Sequence, residues 1–376
     1  MPHPQDTLFE PYTLNNDVTV LSRIAVAPLT LFSSDADGTI NDGEAMFLSQ
    51  RAKGIGLYIL GATLVSEEGA AFAGQPRAIS EKDIPSLKKR AELIKAQGAL
   101  AITQIHHGGL LALSECSKQD VYAPSATDTA KEMTDEHIEA TVKAFAKATE
   151  LCIAAGCDGV EIHGANNYLI QQFFSAKTNR RNDRWGGSLT KRMAFPLRVV
   201  EAVCEVREKM NRPDFIIGYR LSPEEPGDNG ITMTETIALI RALCDYPLQY
   251  LHISQWNFNK LARRGVGVGQ LRLKTLREAM APDIALIGVG GLVTGDDLRQ
   301  ALGSGFVDFV AVGQSIMMNP NLGELIASGK EDQIIREIDL QKEDHYAMPE
   351  PLWAMCQQAM NWMPPVKGKP AKRLDV

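Results

Sequence analysis

The sequence predicts an α/β fold: a (β/α)8 TIM barrel that forms a single domain with a C-terminal extension. Short apolar runs alternate with longer helical patterns along the 376 residues, and no low-complexity linker interrupts them. No G-x-G-x-x-G motif follows the first run, which weakens the competing prediction of an open, doubly wound sheet. We therefore predict a barrel in residues 1–330 and an extension in residues 331–376 that packs on the barrel or at a subunit contact.

The apolar runs are typical of parallel strands that are covered on both faces. They lie at residues 24–28, 57–62, 101–106, 159–163, 216–221, 250–254, 285–289 and 309–312. The segments between them have helical patterns. Residues 134–155 repeat apolar side chains at helical spacing, with Thr134 at the expected N-cap. Thr232 with Glu235 has the pattern of a capping box, and Thr294 with Asp297 begins a shorter helix.

Composition excludes several classes of function. The formal charge of -7, from 39 basic and 46 acidic residues, argues against a general nucleic-acid or anionic-membrane partner. None of the 6 cysteines forms a C-x-x-C pair, so no zinc or iron–sulfur site is predicted, and scattered thiols are typical of a cytosolic protein. Neither a signal peptide nor a membrane-spanning run is recognisable, so we expect a cytoplasmic protein without a metal.

In a barrel, chemistry sits where the strands end. Gln104 points inward if Ile105 points outward, and its carboxamide matches the edge of an imide-like ring. His163 and Asn166 stand at the end of the fourth run, where two neutral donors can hold a carbonyl oxygen and Tyr168 can supply a proton. A buried structural histidine followed by turn-forming asparagines explains the same segment equally well.

Two further features point to an anionic or polarised ligand. An arginine within a barrel strand, Arg220, is costly to bury unless it meets an anion or a polarised ring, although an ion pair with Glu161 or Glu225 is the structural alternative. Glycines follow the seventh and eighth runs, where such barrels commonly bind phosphate.

Taken together, these segments resemble the Old Yellow Enzyme family of FMN-dependent ene-reductases over residues 7–325. The most specific match is residues 163–188, HGANNYLIQQFFSAKTNRRNDRWGGS. Residues 23–30 and 219–222, with the glycine positions, add the same order and spacing. The resemblance implies an FMN cofactor in the barrel, with NADH or NADPH as the reductant.

The resemblance also implies roles for individual residues. The implied FMN contacts are Ala27, Pro28, Leu29, Thr30, Ala62, Gln104, Arg220, Gly290, Gly291, Gly313 and Gln314. The implied substrate contacts are His163, Asn166, Phe32 and Trp256, with Tyr168 as the proton donor. The family commonly has arginine where Gln314 stands. Direct charge pairing with the FMN phosphate is therefore expected to be lost there, with Arg263, Arg264 or backbone amides compensating.

The function expected from this resemblance is the reduction of activated C=C bonds of α,β-unsaturated carbonyl compounds by a ping-pong reaction. One alternative is a flavin-free TIM-barrel lyase or aldolase acting on a phosphorylated substrate. It needs a Schiff-base lysine or metal carboxylates at the strand ends, and we find neither there. Another is a flavin-binding protein without catalysis. The expected partner is a small activated alkene, and the sequence leaves a homo-oligomer open.

Overall fold

The computed structural model describes residues 6–369, and its centre is a closed barrel of parallel strands. Each strand pairs with the next along the chain, and the last pairs with the first. The strands are β1 (Ile24–Val26), β2 (Leu57–Leu64), β3 (Leu100–His106), β4 (Gly159–Gly164), β5 (Ile216–Leu221), β6 (Tyr250–Ile253), β7 (Ala285–Val289) and β8 (Phe309–Val312). The predicted barrel class is confirmed, and every predicted run overlaps one of these strands.

Helices fill the connections between the strands and follow the last strand. They are α1 (Asp42–Leu48), α2 (Ile84–Lys95), α3 (Ser114–Ser117), α4 (Asp135–Ala154), α5 (Leu169–Phe174), α6 (Leu189–Lys209), α7 (Met233–Leu243), α8 (Arg272–Arg277), α9 (Gly295–Gly303), α10 (Gln314–Met318), α11 (Leu322–Ala327) and α12 (Glu350–Gln357). Thr134 caps α4 by accepting a hydrogen bond from the His137 N–H. Both Thr232 and Thr294 form capping boxes with the acidic residue three positions later.

Strand alternation divides the apolar side chains into two cores. Inward residues such as Ile59, Ile102 and Phe309 fill the barrel, while outward residues such as Ile105 and Val310 pack under the helices. The side chain of Gln104 is therefore inside the barrel, as the sequence predicts.

An N-terminal hairpin fills the end of the barrel where the strands begin. Residues Tyr12–Thr13 pair antiparallel with Thr19–Val20. Leu14 and Val20 are buried in the same cluster as the first inward residues of the strands, and the Tyr12 ring meets the Phe309 ring edge-on, with centroids 5.1 Å apart. The opposite end, where the strands finish, is left for a ligand.

Two strand ends differ from the sequence prediction by more than one residue. β1 ends at Val26 because Pro28 has no N–H to continue the ladder, although Ala27 N still donates to the Val312 carbonyl over 2.9 Å. β2 runs on to Leu64 through a shift in register after Leu60.

The chain beyond the barrel lies against it. Val366 pairs with Ile338, Trp353 is buried, and the Arg51 guanidinium donates to the Tyr346 carbonyl. The domain boundary at residue 330 stays a prediction. Across residues 6–369, no helix is both long and apolar enough to cross a membrane.

Candidate active site

A cavity of about 870 Å³ opens at the end of the barrel where the strands finish. It falls within the range of roughly 300–1,000 Å³ that is usual for ligand and cofactor sites. Every FMN or substrate contact that the resemblance implies lines it, apart from the two arginines expected to compensate for Gln314. These residues are Ala27, Pro28, Leu29, Thr30, Phe32, Ala62, Gln104, His163, Asn166, Tyr168, Arg220, Trp256, Gly290, Gly291, Gly313 and Gln314. Parallel strands bring their C-terminal ends to one edge, so residues distant in sequence meet here.

A polar layer inside the barrel supports the base of the cavity. The Glu161 carboxylate accepts hydrogen bonds from Gln104 Nε2 over 2.7 Å and from His252 Nδ1 over 2.9 Å. Burial opposes ionisation of Glu161, but the bonds from His252 and Gln104 and the charge on Arg220 outweigh it and lower its pKa. Burial lowers the pKa of His252, although the neighbouring Glu161 carboxylate opposes that shift. The Gln104 amide is thereby fixed in one orientation.

Arg220 brings a positive charge to the same layer. Burial lowers the pKa of its guanidinium and the nearby Glu161 carboxylate opposes that shift, so the group stays charged at neutral pH. Its Nη2 donates to Ser254 Oγ over 3.2 Å. Its buried Nε has no hydrogen-bond partner within residues 6–369. A ligand with an acceptor atom at this side of the cavity would complete the hydrogen bonding of Arg220.

The tautomer of His163 follows from its neighbour in the chain. The Ala165 N–H donates to His163 Nδ1 over 3.3 Å, so the ring proton lies on Nε2. Burial holds the pKa of His163 well below its usual range, and the positive charge of the nearby Arg220 adds to the effect. His163 is therefore a neutral donor in the cavity wall.

Asn166 supplies a second neutral donor. Its φ of +58° is a left-handed conformation that asparagine tolerates, and its N–H donates to Ser222 Oγ over 2.9 Å. Its Oδ1 accepts from Ser254 Oγ over 2.7 Å. Because Ser254 engages the oxygen, the Asn166 Nδ2 hydrogens remain for the cavity.

The Tyr168 hydroxyl is positioned by two histidine rings. The tyrosine ring meets the His106 ring edge-on at 4.3 Å and the His163 ring at 5.2 Å between centroids. Burial raises the pKa of Tyr168, so its hydroxyl keeps its proton at neutral pH. Burial, with a smaller contribution from His107, lowers the pKa of His106 to about 3. The surroundings of Tyr168 thus hold a proton on its oxygen.

Comparison with known proteins adds the biological class. Residues 7–333 match the sequence model of the NADH:flavin oxidoreductase / NADH oxidase family. The chain belongs to this family. It is a flavin-dependent oxidoreductase, FMN is the family's cofactor, and NADH is a reductant, as the sequence predicts. This membership does not support the two alternatives of a flavin-free lyase and a non-catalytic flavin-binding protein.

Three similar proteins show how far the likeness extends. A probable NADH-dependent flavin oxidoreductase of Bacillus subtilis is 45% identical over 95% of this chain and 97% of its own length. The NADH:acrylate oxidoreductase of Vibrio harveyi is 36% identical over 92% of this chain but only 35% of its own length, so this chain spans about a third of that protein. The Old Yellow Enzyme homologue of Zymomonas mobilis has a TM-score of 0.76 with 25% identity, covering 88% of this chain and 95% of that one. The resemblance to the Old Yellow Enzymes is confirmed.

The glycine-rich side of this flavin oxidoreductase has a tight backbone. Gly290 has a φ of +127°, and a Cβ on it would lie 2.6 Å from Asn257 N, so only glycine fits there. The Gln314 side chain donates to the carbonyls of Trp362 and Met363 rather than pointing freely into the cavity.

The arginines expected to compensate for Gln314 do not line the cavity. The terminal guanidinium nitrogens of Arg264 donate to the carbonyls of Glu225, Gly227, Gly230 and Ile231. In the part of the chain that the structure describes, neither Arg263 nor Arg264 borders the cavity. Backbone amides therefore remain the candidates for holding a phosphate beside the glycines.

Sequence reasoning missed several residues of this site. Tyr250 and His252 lie on the inward face of β6, and Ser254 follows at its exit. Polar side chains at every second position of this run were a signal that could have indicated His252 and Ser254. Phe72 and Trp362 also line the cavity. Neither follows a barrel strand directly, so strand ends alone could not have indicated them.

Proposed function

We propose that this flavin oxidoreductase reduces the C=C bond of α,β-unsaturated carbonyl compounds, with NADH or NADPH as the reductant, by a ping-pong reaction. The observation that carries the proposal is the pair of neutral donors, His163 Nε2 and Asn166 Nδ2, in one cavity with the protonated Tyr168 hydroxyl. Such a set suits a substrate that must have an oxygen polarised and a carbon protonated.

The cavity fits an FMN molecule. Its volume is sufficient, Arg220 Nε lacks an acceptor within the described chain, and Gly291 offers exposed backbone at the cavity beside the buried Gly290. In the proposal, Gln104 and Arg220 bind the pyrimidine side of the isoalloxazine, while the remaining FMN-binding residues are those the sequence assigned. FMN held by these residues would supply the hydride-transfer chemistry between the nicotinamide and the β-carbon of the alkene.

The two donors activate the substrate. Hydrogen bonds from His163 and Asn166 to the carbonyl oxygen stabilise the negative charge that develops there as the β-carbon gains a hydride. Because His163 is neutral, it stabilises that charge without giving up its own proton. The same bonds hold the alkene in one orientation, which lowers the entropic part of the barrier.

Tyr168 completes the reaction. Its hydroxyl donates a proton to the α-carbon as the C=C bond is lost, and solvent returns that proton to the tyrosine. The phenol is a weak acid because it is buried, so it reacts only once charge has accumulated on the substrate. Phe32 and Trp256 form part of the surrounding wall.

The substrate class also includes small unsaturated acids. The acrylate named for the Vibrio harveyi relative is an activated alkene of this kind, although this chain spans about a third of that protein.

All six cysteines are free thiols, which supports the proposed cytoplasmic location.

Anaerobic stopped-flow spectroscopy of the FMN-loaded chain tests the proposal. We expect NADH or NADPH to bleach the flavin, and 2-cyclohexenone, acrylate or a related alkene to restore its colour. A flavin that nicotinamide bleaches but no activated alkene reoxidises would refute ene-reduction.

A matched pair of variants makes the test specific. Asn166 and Asn167 have nearly equal φ values of +58° and +61°, so glycine relieves strain equally at both. In the proposal only Asn166 contacts the substrate, whereas the Asn167 side chain bonds to Gln171. Asn166→Gly should therefore slow reoxidation by the alkene at least about tenfold, and Asn167→Gly should not.

A further inference from the structure

The C-terminal segment, residues 360–366, forms part of the cavity wall. Trp362 lines the cavity with Phe32 and Phe72. The Trp362 and Phe32 ring centroids are 5.9 Å apart, and those of Phe32 and Phe72 are 5.2 Å apart. We refer to these three side chains as the aromatic corner.

The aromatic corner and the proposed substrate donors follow different strands around the cavity. Phe32 and Phe72 follow β1 and β2, whereas His163 and Asn166 belong to β4 and its exit. Since the strands are arranged around the barrel in sequence order, the ends of β1 and β4 are three strands apart. A substrate whose oxygen meets the donors and which reaches across the cavity would therefore meet the aromatic corner.

Gln314 holds the C-terminal segment in place. Its Nε2 donates to the Trp362 carbonyl over 3.2 Å and to the Met363 carbonyl over 3.0 Å. The segment is also tied at its far end, where Ile338 N donates to the Pro365 carbonyl over 2.7 Å. Gln314 begins α10 immediately after β8, so these bonds join the segment directly to the barrel.

We propose that Trp362 is a specificity-determining residue and that Gln314 is a positioning residue that holds it. The inference rests on the proposed ene-reduction and names its substrate class: alkenes that are small and flat on the side remote from the carbonyl. A tryptophan ring fixed by packing and by its own backbone excludes bulk at little entropic cost. Selection by exclusion is effective because a misfit of one methylene group in an apolar pocket changes the discrimination between two substrates roughly 10–200-fold.

The test compares binding of two saturated ketones to the FMN-loaded full chain. Cyclohexanone and 4-phenylcyclohexanone have no C=C bond, so calorimetry measures their affinity without turnover. We expect wild type to prefer cyclohexanone, and Trp362→Ala to lower the ratio of the two dissociation constants at least about tenfold. Trp362→Phe should stay near wild type. If the alanine variant does not retain FMN, Trp362→Leu gives the same comparison.

Gln314→Met tests the positioning role, because methionine has a similar length but no N–H donor. It should shift the ketone ratio in the same direction as Trp362→Ala, and the double variant should shift it no further than Trp362→Ala alone. It should also speed tryptic cleavage after the exposed Lys367 at least about threefold, since release of the segment exposes its backbone.

The outcomes separate the two proposals. An unchanged ketone ratio in Trp362→Ala, or no ketone binding to wild type, overturns the role of Trp362. Unchanged cleavage and ketone ratio in Gln314→Met overturn the role of Gln314. A shifted ratio of the two ketone dissociation constants in a protein that reduces no enone would support the role of Trp362 and reject ene-reduction instead.

Discussion

Ser254 Oγ donates a hydrogen bond to the side-chain oxygen of Asn166 over 2.7 Å. The same hydroxyl oxygen accepts one from Arg220 Nη2 over 3.2 Å. One serine thus joins the charged group proposed to bind FMN to the amide proposed to bind the substrate. Its orientation decides which edge of the Asn166 amide is presented to the cavity.

Ser254→Ala should weaken substrate binding without removing any group that contacts the substrate. The Asn166 amide would lose the bond that fixes its orientation, worth about 1 kcal/mol, so kcat/KM for an enone should fall about fivefold, mainly through KM. Steady-state kinetics measure this, with Ser254→Thr as the control because it keeps the hydroxyl. Equal kcat/KM in the alanine variant and wild type would contradict the role of Ser254.

Tyr168→Phe should separate the two half-reactions. Loss of the proton donor should slow reoxidation of the flavin by an enone by about 100-fold or more, while reduction of the flavin by nicotinamide stays nearly unchanged. Stopped-flow absorbance follows each half-reaction separately. Equal losses in both would show that Tyr168 acts on the shape of the cavity and not as the proton donor.

The buried histidines should make the fold acid-sensitive. Burial lowers the pKa values of His106, His163 and His252, so below about pH 6.5 the unfolded chain binds protons that the folded chain does not. Each histidine then removes about 1.4 kcal/mol of unfolding free energy per pH unit as the pH falls, until its folded pKa is reached.

Denaturant unfolding from about pH 7.5 to about pH 5, at a fixed excess of FMN, measures this slope. His106→Asn should reduce this slope by the contribution of one histidine, about 1.4 kcal/mol per pH unit. The reason is that the pKa of His106 in the folded chain is about 3, so His106 stays neutral over this range. A flat dependence on pH in wild type would disprove the linkage.

Breaking the ion pair at the cavity wall should be costly. Glu224 accepts from Arg272 Nε over 2.7 Å and from the N–H groups of Arg263 and Arg264, and both side chains of the pair are buried. Glu224→Ala leaves the Arg272 charge buried without this partner and should lower the unfolding free energy by about 3–5 kcal/mol.

The exposed pair of Arg212 and Asp214 provides the control for this measurement. Asp214→Asn should cost at most about 1 kcal/mol, because water screens an exposed pair. Denaturant unfolding measures the loss of unfolding free energy in both variants. Similar losses would mean that burial does not set the strength of the Glu224 pair.

The barrel could be predicted from sequence because its signals are local. Each β-strand is a short apolar run, and residues such as Thr232 and Thr294 mark helix starts through bonds to a side chain three positions later. The end of β1 was placed too late, since Pro28 lacks an N–H and the ladder stops before it.

The site was predicted in part for the same reason. Residues at strand ends meet whenever a parallel barrel closes, so His163, Asn166 and Arg220 could be grouped without knowing any contact between them. Trp362 could not be placed, because its position depends on the long-range bond from Gln314 and not on any periodicity of the segment. The roles of His163, Asn166 and Arg220 in the reaction stay predictions.

The hairpin that carries Leu14 and Val20 also has a consequence for the proposed ping-pong reaction. With one end of the barrel filled, that reaction would give the nicotinamide and the alkene one shared entrance and one shared binding space, so each would have to leave before the other could enter. An excess of reductant should therefore inhibit turnover competitively against the alkene, and raising the alkene concentration should relieve that inhibition.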